Sequence, residues 1–173
     1  LSTNQCAMYC RHCFRKRLVG LSDGEIAKNF SKMEAYIREH TEITNVLVSG
    51  GDAMLNSNER LREIFSMLVD IGHLDAIRLA SRVPVVYPQR ITEDKELQRI
   101  LAEAGAKKQL FFVTQFNHPH ELTEQSYAAI DTLLHMGIPV KNQTVLLRGV
   151  NDDPAVLGRL LRGLVGAGVS PYY

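Results

Sequence analysis

Residues 46–69 read VLVSGGDAMLNSNERLREIFSMLV. Four strand-forming residues (46–49) run into Gly50, Gly51 and Asp52, and a helix-like stretch follows over 59–69. There Leu61, Ile64, Phe65 and Leu68 recur at three-to-four spacing and form one apolar stripe. The same unit of strand, polar turn and helix returns along the chain. Strands are expected at 77–80, 110–114 (LFFVT) and 139–147, and helices at 92–103, 123–136 and 153–165. Thr123 reads as a helix cap and Gly137 as a stop. Val156, Leu157, Leu160, Leu161 and Leu164 make the stripe of the last helix. A leading unit is read from residues 1–3, as the tail of a first strand, and 23–40, as its helix.

Such alternation predicts parallel strands joined by crossover helices. Two layouts compete, an open doubly wound sheet and a full or partial barrel. Polar residues follow successive strands: Ser49-Gly50-Gly51-Asp52, then Ser81-Arg82, then Gln115 with Asn117-His118, with Asn142-Gln143 inside the fourth clear strand. In a barrel the C-terminal ends of the strands share one face, so these groups would converge there. An open sheet would spread them, and the barrel is the expected form.

Composition sets the outer bounds. The chain has 173 residues, 45% apolar and 23% charged, which suits one soluble domain over 1–173 with a sizeable core. No apolar run reaches bilayer length, and the N-terminal stretch lacks the apolar core of a signal peptide. A formal net charge of +1 and a 7% aromatic content offer no stripe for nucleic acid and no attraction to an anionic membrane. Leu1 is not a methionine, and Pro171-Tyr172-Tyr173 follow directly on a helix, so both ends read as cut from something longer.

All three cysteines fall in residues 6–17, CAMYCRHCFRKR, at positions 6, 10 and 13. Their clustering argues against a secreted disulfide scaffold and for a reducing, cytoplasmic compartment. Three thiolates can bind zinc, bind an iron–sulfur cluster or do redox work. A structural zinc site wants four protein ligands, and His12, adjacent to Cys13, is poorly placed as the fourth. On a four-iron cluster, three cysteines leave one iron open to a small molecule. Arg11, Arg15, Lys16 and Arg17 would add positive charge, one of the factors that set such a cluster's potential.

The spacing Cys6-x3-Cys10-x2-Cys13 resembles the cluster motif of the radical S-adenosylmethionine (SAM) enzymes. With VLVSGGD, RLASRVPVVYPQRIT, FNHPHELT and GIPVKNQTVLLRGVNDDP in order, the whole chain is similar to the lysine 2,3-aminomutase family. The resemblance implies a partial (β/α)6 TIM-like barrel of the radical SAM type, truncated at both ends. It implies that Cys6, Cys10 and Cys13 hold a [4Fe–4S] cluster and that SAM is cleaved to a 5′-deoxyadenosyl radical. It places His12 near the adenine of SAM, Gly50, Gly51 and Asp52 beside its amino group, and Gln143 near the same cofactor. Arg15 matches the arginine that takes the substrate carboxylate, for which a planar fork of donors is suited. Ser81, Arg82, Gln115 and Asn117 are expected to face the site, although Gln115 stands where aminomutases carry a histidine. Arg78, Arg82 and Arg90 would bind anions or pair with acids that brace the barrel.

The resemblance also implies pyridoxal phosphate in the full-length protein, held by a lysine in a PGGGGK motif that these residues do not contain. A lysine-like amino acid, an electron donor and possible self-association complete the implied partners. The other readings are a homologue that modifies a lysine of a translation elongation factor, a radical SAM enzyme without pyridoxal phosphate, and a zinc-binding structural or interaction module.

Overall fold

The structure, a computed structural model, describes residues 1–17, 19–20 and 30–172. Five strands, β1 (Asn45–Val48), β2 (Ala76–Ala80), β3 (Gln109–Thr114), β4 (Val140–Asn142) and β5 (Ser170–Pro171), form one sheet. Their spatial order is their sequence order, and every neighbouring pair is parallel. A doubly wound sheet requires a point where strand order reverses. None exists among the described strands, which therefore form an arc of a barrel.

Seven α-helices accompany the described strands: α1 (Phe30–Glu39), α2 (Asn58–Val69), α3 (Val83–Val86), α4 (Gln89–Thr92), α5 (Lys95–Lys107), α6 (Glu124–His135) and α7 (Pro154–Gly166). Their starts are set by side chains that accept from otherwise unpaired backbone N–H groups. Ser57 caps α2, Asp94 caps α5, Thr123 caps α6 and Asp153 caps α7. Thr123 and Ser126 cap reciprocally, each side chain accepting from the other's backbone N–H. At the far end of α6, Gly137 adopts φ 74°, a left-handed turn that glycine enters without a Cβ penalty. None of the described helices is long and apolar enough to cross a membrane.

The strand period of two divides the sheet into a helix-covered face and a concave one. Ile77 and Leu79 of β2, Leu110 and Phe112 of β3 and Val140 of β4 are buried in the core with Leu61, Ile64, Phe65 and Leu68 of α2. Leu97, Ile100 and Leu101 of α5, Ile130 and Leu133 of α6 and Leu160 and Leu164 of α7 complete it. Register places Leu47, Arg78 and Phe111 side by side on the opposite face, with Ala80, Val113 and Lys141 one step further along. The Lys141 ammonium lies 4.6 Å from the centre of the Phe111 ring.

Several expected elements shift. Residues 1–3 are not a strand, yet they run beside the end of β1: Ser2 N–H donates to the Ser49 carbonyl at 2.7 Å and Gly51 N–H to that of Thr3 at 2.8 Å. Of the helix expected over 23–40, residues 23–29 lie outside the described set, and α1 occupies the rest. The helix expected at 92–103 is two, because Asp94 is extended (φ −82°, ψ 93°) and starts α5 afresh. The strand expected at 139–147 stops at Asn142, where pairing with Thr114 ends β3. Beyond it, Val145 N–H and Leu147 N–H donate to the side chains of Asn117 and Asn151, so an apolar run that reads as strand is a tethered loop. Residues 170–171, expected to trail the last helix, form β5 against β4.

Gly50 and Gly51 have a specific packing duty. A Cβ on Gly50 would stand 2.5 Å from the Thr3 carbonyl oxygen, and one on Gly51 2.1 Å from that of Gln5. The backbone leading into the cysteine loop lies directly on this glycine pair. Gly51→Ala is therefore expected to displace residues 3–5 and to cost about 1–3 kcal/mol, the range for overpacking a tight site. A urea midpoint unchanged from that of the parent protein would contradict the close approach.

Candidate active site

The strand ends and the cysteine loop enclose one cavity of about 410 Å³. Cys6, Cys10, His12, Cys13 and Arg15 line it from the loop, Gly51 and Asp52 from the end of β1, and Ser81 and Arg82 from the end of β2. Gln115 and Gln143 line it from the ends of β3 and β4, over a floor of Ala80 and Val113. The convergence expected of a barrel is thus present. Five of the polar residues expected to converge stand apart: among the described residues Ser49, Gly50, Asn117, His118 and Asn142 do not line the cavity. Gly50 carries the backbone of Thr3, and Asn117, 3% exposed, accepts from Val145 N–H and receives the Asn151 amide on its carbonyl.

Asp52 is tightly held at the rim. Its Oδ1 accepts from the Ser81 hydroxyl at 2.6 Å and from Met54 N–H at 3.0 Å, and its Oδ2 accepts from Arg82 N–H at 2.9 Å. A carboxylate offers about four acceptor positions, so these three donors leave Oδ2 with one. The residue binds the ends of β1 and β2 together, with one acceptor position to spare for a ligand. Burial pushes its carboxyl above the ordinary aspartate range, against the opposing pull of the bonds from Ser81, Arg82 and Met54.

Arg82 makes contacts in several directions. Its Nε–H donates to the Gln115 carbonyl at 3.0 Å, its Nη2 to Glu121 Oε1 at 2.8 Å, and its Nη1 to Cys10 Sγ at 2.9 Å. Glu121 was not among the residues expected at the site. Its signal was present in FNHPHELT, where Glu121 follows His118 by three residues, the spacing at which a side chain returns to a cap N–H. Ser49, expected only as part of the polar turn after the first strand, holds Arg15: its hydroxyl accepts from Arg15 Nη1 at 2.5 Å. Arg90 and Arg78 serve the framework instead. Arg90 donates to the Met54 and Asn56 carbonyls and to Asn58, and pairs with Asp94, while Arg78 donates to Asn45 Oδ1.

Three observations bear on whether this site suits a thiolate-bound cluster and a polar cofactor. The three thiols are free and line the same cavity. His12 Nε2, Arg15 Nε and Thr114 Oγ1 are buried there without a hydrogen-bond partner, each costing about 1–3 kcal/mol unless a ligand satisfies it. The described His, Cys, Asp and Glu side chains form no group of three gathered tightly enough to grip a single ion. The fit is one of donor type, location and unsatisfied polar atoms. Gln143, by contrast, is exposed at the rim and needs no internal partner.

The raised Asp52 carboxyl has a definite pH signature. Between the ordinary aspartate value and its raised one, the folded state retains a proton that the unfolded chain has released. Its contribution to stability therefore falls as pH rises through that interval and is flat above it. The stability advantage of the parent protein over Asp52→Asn, measured as urea midpoints from acid to neutral pH, should be largest in acid and shrink toward neutrality. An advantage that grows with pH would overturn the assignment.

Comparison with known proteins bears on the same residues. Residues 1–160 match the family model of the radical SAM superfamily. The chain is 45% identical over 174 residues to L-lysine 2,3-aminomutase of Acetoanaerobium sticklandii, covering 100% of this chain and 41% of that protein. It is 46% identical over 169 residues to L-lysine 2,3-aminomutase of Methanococcus maripaludis, covering 97% and 38%. It is 42% identical over 172 residues to glutamate 2,3-aminomutase of Clostridioides difficile, covering 99% and 40%. The chain thus spans less than half the length of these relatives. A parallel arc of strands in sequence order, a loop of three cysteines over its mouth and this agreement along the whole chain lead to one conclusion: the chain belongs to the radical SAM superfamily and, by similarity throughout its length, to its lysine 2,3-aminomutase family.

Proposed function

We propose that residues 1–173 form the cluster- and SAM-binding core of an isomerase that moves an amino group between carbons 2 and 3 of lysine or a related amino acid. The observation that carries this reading is the meeting of Cys6, Cys10 and Cys13 with the polar ends of four strands in one cavity. A [4Fe–4S] cluster on the three thiolates would supply the electron that cleaves SAM to methionine and a radical able to take hydrogen from an unactivated carbon.

The chain's own residues then have separable tasks. Asp52 has one open acceptor for an ammonium group, and its tie to Ser81 keeps it from turning away. His12 offers an unpaired ring nitrogen within the cavity. Arg15, held at Nη1 by Ser49, keeps its buried Nε–H unpaired, and a carboxylate could take it. Ala80 and Val113 floor the cavity with small apolar side chains that leave room and keep water out. Similar identity to lysine and glutamate enzymes leaves the substrate as an amino acid of either kind, and Gln115 at the rim is a candidate for discriminating between them. Pyridoxal phosphate, an electron donor, self-association and a reducing cytoplasmic setting belong to the same proposal.

Electron paramagnetic resonance tests the proposal first. Anaerobically reconstituted, dithionite-reduced protein should give a four-iron signal that changes on adding SAM, and Cys6→Ala, Cys10→Ala and Cys13→Ala should each lose it. Retention of zinc alone would end the radical reading. In the complete protein, Arg15→Lys should raise KM for the amino acid by about 10- to 100-fold with a smaller effect on kcat. A lost charge-assisted bond is worth about 1.5–3 kcal/mol, and each 1.4 kcal/mol is tenfold. An unchanged KM would remove Arg15 from the substrate site.

A further inference from the structure

The guanidinium of Arg82 is immobilised before it reaches sulfur. Its backbone N–H is held by Asp52 Oδ2 at 2.9 Å, its Nε–H by the Gln115 carbonyl at 3.0 Å and its Nη2 by Glu121 Oε1 at 2.8 Å. Glu121 is itself fixed, since Oε2 accepts from the N–H groups of Asn117 at 2.5 Å and His118 at 3.3 Å. Both side chains of the ion pair are largely shielded, at 10% and 23% exposure. The remaining donor, Nη1, stands 2.9 Å from Cys10 Sγ. Among the described residues this bond is made to Cys10 and to neither Cys6 nor Cys13, so one of three otherwise similar sulfurs is singled out.

We propose that Arg82, braced by Glu121, is a positioning residue for Cys10: it anchors this sulfur to the ends of β2 and β3 and, through a charge-assisted N–H···S bond, raises the reduction potential of the cluster held there. The physical reason is that a donated hydrogen bond and a nearby positive charge withdraw electron density from a ligating sulfur and favour the reduced, more negative cluster. Screening is weak at this exposure, so salt leaves most of the effect in place. The inference rests on the cluster reading proposed above, and its test separates the two.

Redox titration of the reconstituted complete protein, followed by electron paramagnetic resonance, compares the parent with Arg82→Met and Arg11→Met. Arg11 also lines the cavity but is exposed, so its loss removes one positive charge without removing the bond to Cys10. The expected result is a shift to lower potential in Arg82→Met that clearly exceeds the shift in Arg11→Met. Equal shifts, or none, would overturn the proposal while leaving the cluster intact. A second readout uses the metal-free protein: the rate of alkylation of each cysteine by iodoacetamide at fixed pH, resolved by mass spectrometry. Arg82→Met should change the modification rate of Cys10 several-fold while those of Cys6 and Cys13 stay near the parent values, and Arg82→Lys should return it part of the way; an unchanged Cys10 rate would overturn the proposal. Uniform acceleration of all three would mean a general loosening of the loop and would also overturn it. If the parent assembles no cluster, the functional reading fails, and the alkylation pattern still decides whether Arg82 holds Cys10.

Discussion

The buried carboxylate of Asp52 is the constraint on which the mouth of this molecule depends. Placing it at the end of β1 obliges the end of β2 to supply donors, and the Ser81 hydroxyl and Arg82 N–H do so. An ionised group withdrawn from water without such partners would be costly by several kcal/mol. Satisfying it fixes the backbone of Arg82, so the guanidinium emerges in one direction. From there a chain of donors runs to Glu121, to the Gln115 carbonyl and to Cys10. One buried acid thus ties three strand ends and the cysteine loop into a single arrangement.

The loops beyond β3 and β4 are held by a different device. Asn142, Asn117 and Asn151 are buried and spend their amides on backbone groups: Asn142 on both polar groups of Phe116, Asn117 on Val145, Asn151 on Leu147, Val145 and Asn117. Amides can donate and accept at once, which lets each stand in for a missing strand neighbour. The segment that carries Gln143 is therefore positioned without extending the sheet. On the other side of the mouth, the glycine pair after β1 lets residues 3–5 cross close to the sheet and deliver the first cysteine at the cavity.

Much of this was legible in the residues. Periods of two and of 3.6 marked the β2, β3, α2, α6 and α7 regions closely, because those segments bury one face each and the pattern records it. The caps Ser57, Asp94, Thr123 and Asp153 are local chemistry, although only Thr123 was singled out and the helix expected from residue 92 ran across Asp94. The loop after Asn142 misled for a tertiary reason. Val145 and Leu147 look like strand residues, but the side chain of Asn117, from beyond β3, satisfies one N–H group and that of Asn151, four residues on, the other. The two-residue β5 carries too little pattern to be seen before β4 lies beside it.

By itself, the sequence determined the α/β class and the family and marked the three cysteines proposed as ligands, since periodicity, cysteine spacing and motif order are properties of the chain as written. Which arginine serves which purpose was decided only by tertiary structure. Arg15, Arg82 and Arg90 are alike as residues, but one keeps an unpaired donor in the cavity, one reaches a cysteine sulfur and one braces the turns after β1. A guanidinium has the same five donors everywhere; its role follows from which acceptors the fold brings within about 3 Å of them.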